Sequence, residues 1–573
     1  MNAISHRPTL AHFPSQRSLL AAAVSLSSLL CSPLGYAEEP ASGGALELGA
    51  ISIEDNAIDD VTEQLGYTVR GTTSSTGMAL TPRQTPQSVT TITNQQMTDR
   101  GITNVEQALE VTPGVTASKY EVGGRTDFRA RGYKVTNWKV DGLQYQGDSG
   151  FSGAGNSLNM DMYERIDIVR GANGLLGGTG DPSATVNLIR KTPGKDFGGS
   201  AYITYGSWDR TRLGADLNLP LSEDGRLRSR LVITQEEANS FRDNQSERSR
   251  AALANFEFDL TDATTLGAGY QYEYDKAIGS GWGANIPIWY ADGSKTKWSR
   301  SSNLAPSWSY GENETNTAFA SLSHRFNEDW TLNVKAAQSV TEATGHYGLA
   351  KVNQFSRNPN VYTGYPNRDG SGMVLNGLHN SSDTTQQSAQ FDLSGAFELF
   401  GRSHQAMFGY SDSRTVGWTP EYSCFMTSAT RPSASQPGPL PGCQFRTNNG
   451  LPISNWHNGV DDDLRMIASK TGRHGKSVTR LQGMYAATRL SITDPLSVIL
   501  GVRVSDYHTK SSTAAGVKTS QTESGVVTPY AGVVYDLNDT YSLYASYTDV
   551  FSPQTQETTT GARVKPIIGK SYE

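Results

Sequence analysis

An antiparallel β-barrel that crosses a membrane, preceded by a small α/β domain, is the fold class this sequence predicts. Three observations point there. Beyond position 195, strand-like runs of about 8–12 residues recur, the length a tilted strand needs to cross a bilayer. The turns between them alternate short and long, as they do when each rim of a barrel faces a different side of a membrane. No apolar run after the N-terminus approaches the ~20 residues of a spanning helix. Hydrophobic residues make up only 36 % of the 573 positions, which alternating membrane strands allow because their hydropathy signal is weak. The net charge of −7 is mild, and without a basic stripe nothing points to nucleic acid.

In chain order, the first segment reads as a signal peptide over 1–37. Arg7 and Arg17 supply positive charge, and 19–30 is an apolar core too short to span as a helix. Gly35-Tyr36-Ala37 places small residues at the −3 and −1 positions of a cleavage site after Ala37. Residues 38–66 are polar, small and acidic. They are interrupted by one alternating apolar patch, Leu46, Glu47, Leu48, Gly49, Ala50 and Ile51. A tail with one β-prone segment is suited to adding a strand to a partner's sheet edge.

Residues 67–193 read as the α/β domain. A strand at 87–92 leads to Thr93, which has Gln96 three residues on, a helix N-capping pattern. A second helix is expected at 105–109, closed by Thr112-Pro113-Gly114. The centre of the domain is 130–193, with Arg131-Gly132-Tyr133, then Asp141-Gly142, then Tyr163-Glu164-Arg165-Ile166-Asp167-Ile168-Val169-Arg170-Gly171. Ile166, Ile168 and Arg170 alternate with Arg165, Asp167 and Val169, as in a strand. Gly142, Gly171 and Gly177 suit turns of positive φ or close backbone approach. The spacing of Gly171, Gly174 and Gly177 matches neither phosphate-loop pattern, so a nucleotide site is set aside.

Residues 194–573 read as the barrel. Strands are expected at 199–206, 210–219, 226–235, 250–260, 264–274, 315–325, 330–339, 387–399, 403–411, 480–492, 496–506, 526–537 and 542–551. Leu496, Val498, Leu500, Val502 and Val504 would face lipid, against Ser497, Gly501, Arg503 and Ser505. Trp330, Leu332, Val334 and Ala336 would face it against Thr331, Asn333 and Lys335. An arginine on the lipid face costs about 2–4 kcal/mol at the midplane, which sets the register. The segments 274–315, 346–385, 411–479 and 507–526 are expected to be long loops. Cys424 and Cys443 lie in a Pro-, Ser- and Gly-rich stretch and, in an exported chain, read as one disulfide; two free thiols is the alternative. The histidines His324, His346, His379, His404, His457, His474 and His508 are scattered and read as solvated loop or lumen positions. No nucleophile–base arrangement and no clustered metal ligands stand out, so neither an enzyme nor a metal centre is expected.

The motifs of 85–193 closely resemble the plug domain of TonB-dependent outer-membrane receptors. There R-G-F/Y, D-G and E-R-(I/V)-(D/E)-(I/V)-x-(R/K)-G recur in this order. The branch the chain looks most like is the ferric-siderophore receptors of the ferric-pyoverdine and ferric-coprogen type. The resemblance implies a transmembrane antiparallel β-barrel with an N-terminal α/β plug domain inside it, of which about 13–15 of 22 strands would be present here. The last residue, Glu573, is not the aromatic with which such barrels usually end, so a chain truncated at the C-terminus is expected.

The resemblance also implies roles. The 46–54 patch corresponds to the TonB box. Arg131 and Arg170 correspond to plug-anchoring arginines that pair with barrel glutamates. Arg125, Trp138 and Tyr145 on apical plug loops, with Trp282 and Trp308 on the first long barrel loop, are the ligand-binding candidates. Aromatic faces and an arginine suit a compact chelate whose oxygens already hold the metal. The expected activity is TonB-dependent import of a ferric-siderophore across a Gram-negative outer membrane. No resident cofactor or protein-bound metal is expected, since iron travels inside the chelate. The expected partners are the TonB–ExbB–ExbD complex, the ferric-siderophore and outer-membrane lipid, with the receptor a monomer. The alternatives are the same fold carrying haem, cobalamin or a catecholate chelate, or a passive porin.

Overall fold

The computed structural model describes residues 64–120, 125–145, 158–281, 286–352, 365–369, 372–428, 440–441, 443–445, 464–560 and 564–573. The signal peptide, the box residues Leu46, Glu47, Leu48, Gly49, Ala50 and Ile51, and Trp282 lie outside them.

The plug is built on a five-stranded sheet in the order Val89–Thr93, Tyr163–Arg170, Ala184–Arg190, Asn137–Val140, Leu143–Tyr145. Ala184–Arg190 runs antiparallel to Tyr163–Arg170 and parallel to Asn137–Val140. A smaller three-stranded sheet joins Val115–Lys119, Thr126–Ala130 and Tyr133–Lys134. The expected Thr93 cap is present, and the structure adds a second at Asn104. Thr93 accepts from the Gln96 amide ahead of the helix Asn94–Asp99, and Asn104 accepts from the Gln107 amide ahead of Val105–Glu110. Val105, Leu109, Tyr163, Ile166, Ile168, Val186 and Leu188 are fully buried between helices and sheet. Gly142 and Gly171 take φ of +86° and +101°, and a Cβ on Gly177 would sit 1.9 Å from the Asn137 amide nitrogen.

The alternation along Tyr163–Arg170 does not separate a buried face from a wet one. Arg165 and Asp167 are buried as well as Ile166 and Ile168. One face of the strand meets the apolar core, and the other is covered by the segment around Thr72 and Ser74, whose hydroxyls bond to Asp167.

The second body of structure is one large antiparallel sheet of 16 strands. Two short strands, Leu440–Pro441 and Cys443–Phe445, sit off the main path, so 14 run in sequence from Gly198–Gly206 to Ile567–Tyr572. Each strand pairs with its chain neighbour. Among the described residues the first and last strands are not paired with each other. No helix among the described residues is long and apolar enough to cross a membrane. The expected dyad is present. Leu500, Val502 and Val504 are 42–47 % exposed on the outer face, while Ser497, Arg503 and Ser505 are buried on the inner one.

The strands are longer than their alternation suggests. Trp330–Val352, Met373–Leu399, Arg402–Ser428 and Leu464–Ser491 run 23, 27, 27 and 28 residues, so much of the 346–385 and 411–479 segments read as loop is strand. A strand needs only about 9–11 residues to cross the bilayer. Beyond it both faces are wet, hydrophobic alternation ends, and backbone pairing continues without a sequence signal.

Candidate ligand site and plug interface

The plug is tied to the inner face of the sheet by side chains from both sides. Ser88 N–H donates to Glu573 at 2.9 Å, and Arg83 pairs with Asp536 at 2.9 Å. The buried Lys191 meets Asp216 at 2.8 Å. Asp161 accepts from Tyr202 at 2.6 Å and from Arg212 at 2.5 Å. Arg190 pairs with Asp141 of the plug at 2.6 Å, lies over the Phe319 ring and donates to Gln271. On the neighbouring strands Lys335 donates to the Asp141 carbonyl, and Gln386 and Ser388 donate to the Gln144 carbonyl. The expected inward register of Lys335 follows from that contact.

Of the two expected anchors, Arg131 reaches the barrel. Its guanidinium donates to Glu573 at 2.6 Å and to the Ser571 hydroxyl at 2.7 Å, both in the last strand segment. Arg170 does not. It donates to the Pro113 carbonyl and to the Thr90 hydroxyl at 3.3 Å, within the plug. Gly114, at φ +76°, brings the chain against the Arg170 guanidinium, where a Cβ would come within 3.0 Å.

The five ligand candidates fare differently. Arg125 closes the hairpin between Val115–Lys119 and Thr126–Ala130 and lies over the ring of Tyr120 at 5.2 Å. Tyr120 itself is 54 % exposed and was not singled out by the sequence, because only the hairpin register brings it beside Arg125. Trp138 is not on an apical loop. It is 2 % exposed in the plug core, edge-on to Phe128 at 5.8 Å, and donates its indole N–H to the Val135 carbonyl. The run Asn137–Val140 is a central strand, so the side chain packs inward. Tyr145 ends the adjacent edge strand, half-buried against the plug core. Trp308 is half-buried in a cluster with Leu304, Leu349, Leu375, Tyr422 and Met466.

That cluster also holds two histidines read as scattered. His346 lies opposite His379 in register, with their Nδ1 atoms 3.0 Å apart, flanked by the rings of Trp308, Tyr310 and Tyr422. They are 33 residues apart in the chain, and pairing of two extended strands is what joins them. Among the described residues no group of three or more His, Cys, Asp or Glu side chains is placed to hold a metal ion. Cys424 is disulfide-bonded; the side chain of Cys443 lies outside the described residues.

Elsewhere along the interface between plug and sheet, two cations face each other. Lys139 of the plug is buried and donates to the Leu176 carbonyl at 2.9 Å. Arg503 of the barrel, equally buried, bonds to Ser505 and Ser411. Burial, reinforced by Arg503 and opposed by Asp392, pushes the Lys139 amine down to about 7. Its ordinary value is 10.5, so between 7 and 10.5 the unfolded chain binds more protons than the folded one. Stability therefore rises with pH through that window and is lowest below it. Lys139→Met is expected to raise the urea midpoint at pH 7 and to flatten this rise. An unchanged slope between pH 7 and 10 in the variant would assign the titration to another group.

A small α/β domain hydrogen-bonded to the inner face of a large antiparallel sheet, with an aromatic cluster on its longest strands, is the architecture of a plugged membrane barrel. The comparisons agree. The family model of the TonB-dependent receptor plug domain matches residues 81–185, and that of the TonB-dependent receptor-like β-barrel matches 279–573. The chain belongs to the TonB-dependent receptor family. It is 32 % identical to the ferripyoverdine receptor of Pseudomonas aeruginosa, over 93 % of this chain and 61 % of that protein. It is 34 % identical to the ferric-pyoverdine BN7/BN8 receptor of Pseudomonas putida, over 93 % and 63 %. The solved pyoverdine outer-membrane receptor of Pseudomonas aeruginosa, bound to pyoverdine, superposes with a TM-score of 0.77 at 32 % identity, covering 91 % of this chain and 71 % of that one. The chain thus spans about six-tenths of the length of these curated relatives. Family and fold imply a Gram-negative outer membrane, and the relatives are receptors, not enzymes.

Proposed function

We propose that the chain imports a ferric-siderophore of the pyoverdine class across the outer membrane, driven from the periplasm by the TonB–ExbB–ExbD complex through residues 46–54. The observation that carries this reading is the bonding of the plug to strands spread along the inner face of the sheet, from Asp216 through Gln386 to Asp536. Such a plug closes the pore at rest, so passage needs an applied force, whereas a porin is open. Relatives named for ferric-pyoverdine supply the cargo class. Arg125 beside the exposed Tyr120 is the recognition point on the plug, and the Trp308 cluster forms the wall above it. The partner of Cys424 in this reading is Cys443, and the receptor acts as a monomer.

Uptake of radiolabelled iron by a receptor-null strain expressing this gene tests the function. Ferric-pyoverdine is expected to enter, and deletion of 46–51 to abolish entry while surface binding persists. Entry that survives the deletion would point to a passive channel; entry of haem, cobalamin or a catecholate chelate instead would reassign the cargo. Arg125→Ala is expected to weaken chelate binding roughly tenfold, the scale of one charge-assisted hydrogen bond. Equilibrium titration of the purified receptor by quenching of its fluorescence measures it.

A further inference from the structure

Where the plug meets the sheet, a buried pair of positive charges encloses a small cavity. Lys139 lies on the plug strand Asn137–Val140 and Arg503 on the barrel strand Leu496–Ser512, and they are 6 % and 1 % exposed. Both line a cavity of about 20 Å³, with Leu176 of the plug and Ser388, Ser411 and Ser413 of the wall. That volume holds one species about the size of a water molecule.

Donors around this cavity outnumber acceptors. An ammonium carries three N–H groups, and Lys139 directs one to the Leu176 carbonyl. Arg503 directs Nε to the Ser505 hydroxyl and Nη2 to the Ser411 hydroxyl. Its Nη1 is buried and has no hydrogen-bond partner among the described residues. The carboxylates at hand are engaged elsewhere. Asp392 accepts from the Tyr485 hydroxyl at 2.7 Å on one oxygen and from the Gln390 amide at 2.6 Å on the other. Asp412 stands opposite Ala389, on the face turned away from the plug, because its neighbour Ser413 is opposite the inward Ser388. There Arg480 holds it through two hydrogen bonds of 3.0 and 2.5 Å.

Two like charges out of water with so little compensation are costly, and the lowered Lys139 amine is one sign of it. A water molecule in the cavity would supply lone pairs but no countercharge. A small monovalent anion supplies both. Oxyanions of several atoms, such as sulfate or phosphate, exceed the space, and a single-atom anion does not.

We propose that the cavity binds one halide ion, chloride in natural surroundings, and that the ion bridges Lys139 of the plug to Arg503 of the barrel. The bridge pins the plug to the wall at a point where the side chains alone would repel. Seating of the plug is thereby tied to the anion in the medium.

Two measurements on the intact receptor test this. Crystals grown in bromide are expected to show an anomalous scattering peak between Lys139 and Arg503. In buffer acidic enough to keep the amine charged, replacing gluconate with chloride at constant ionic strength is expected to raise the urea midpoint of the wild type. With chloride at about ten times its dissociation constant, the folded-to-unfolded ratio rises roughly tenfold. Lys139→Met removes one of the two charges and is expected to lose both the peak and the chloride response, so its advantage over the wild type narrows as chloride is added. A wild-type crystal with no bromide peak at this position would overturn the site and leave the cavity to water. A chloride response of equal size in wild type and Lys139→Met would assign the effect to salt acting on the whole surface, and would overturn it as well.

Discussion

Asp167→Ala is expected to destabilise the plug by about 3–5 kcal/mol, the cost of leaving buried partners of a charge uncompensated. The Asp167 carboxylate is fully buried, and three hydroxyls converge on it. Thr72 and Ser74 donate to one oxygen and Thr91 to the other, each at 2.7 Å. Arg165, also buried, lies 3.5 Å away. Removing the carboxylate takes the acceptor from the three hydroxyls, of which Thr72 and Ser74 are buried, and the desolvation of those donors is then uncompensated. Thr72 and Ser74 belong to the segment that leads from the tail into the plug, so the loss should appear first there. Hydrogen exchange of the 72–76 amides is expected to quicken by about two orders of magnitude or more, the same free energy expressed as opening. Asp167→Asn, which keeps an acceptor and the shape, is expected to fall between. Unaltered protection of 72–76 in Asp167→Ala would mean that the segment is held by something other than this cradle.

Trp138→Ala carries the second large effect, a loss of about 3–5 kcal/mol in plug stability with no change in chelate affinity for the folded fraction. The indole is enclosed by the plug core and touches Phe128 edge to face. Its removal opens a cavity that a strand in the middle of a sheet cannot collapse to fill. Urea unfolding of the plug paired with chelate titration separates the two possible roles. A variant that unfolds like the wild type but binds weakly would return Trp138 to the ligand surface, against its burial. Arg125→Ala should show the reverse pattern, weakened binding with stability retained, because Arg125 sits at a hairpin tip and not in the core.

Much of the architecture was legible. Thr93 caps its helix through side-chain chemistry that acts over three residues, and Gly142 and Gly171 take φ of +86° and +101°, which a residue with a Cβ adopts only under strain. The dyad of 496–506 could be read because lipid on one side and the plug on the other punish any slip of register. The ligand side was less legible. Trp138 follows a turn and carries an aromatic ring, as an apical loop residue does, and only its place in the five-stranded sheet shows that it is core. His346 and His379 have no local spacing to join them, and they meet because long strands stay paired beyond the membrane. Arg131 and Arg170 look equivalent in the motif, yet one reaches Glu573 and the other turns to Pro113.

By itself the sequence determined the order of parts, the positions of several turns and of the Thr93 cap, and which face of 330–336 and of 496–505 meets lipid, since each depends on neighbours within a turn or two of chain and on the solvent they face. Only the tertiary structure decided that Arg131 meets Ser571 across 440 residues, that Trp138 is enclosed, and that His346 and His379 adjoin. Those juxtapositions come from strand register and from the way the plug sits against the wall. Both are set by the summed packing of the whole molecule, and no stretch of ten residues carries a record of either.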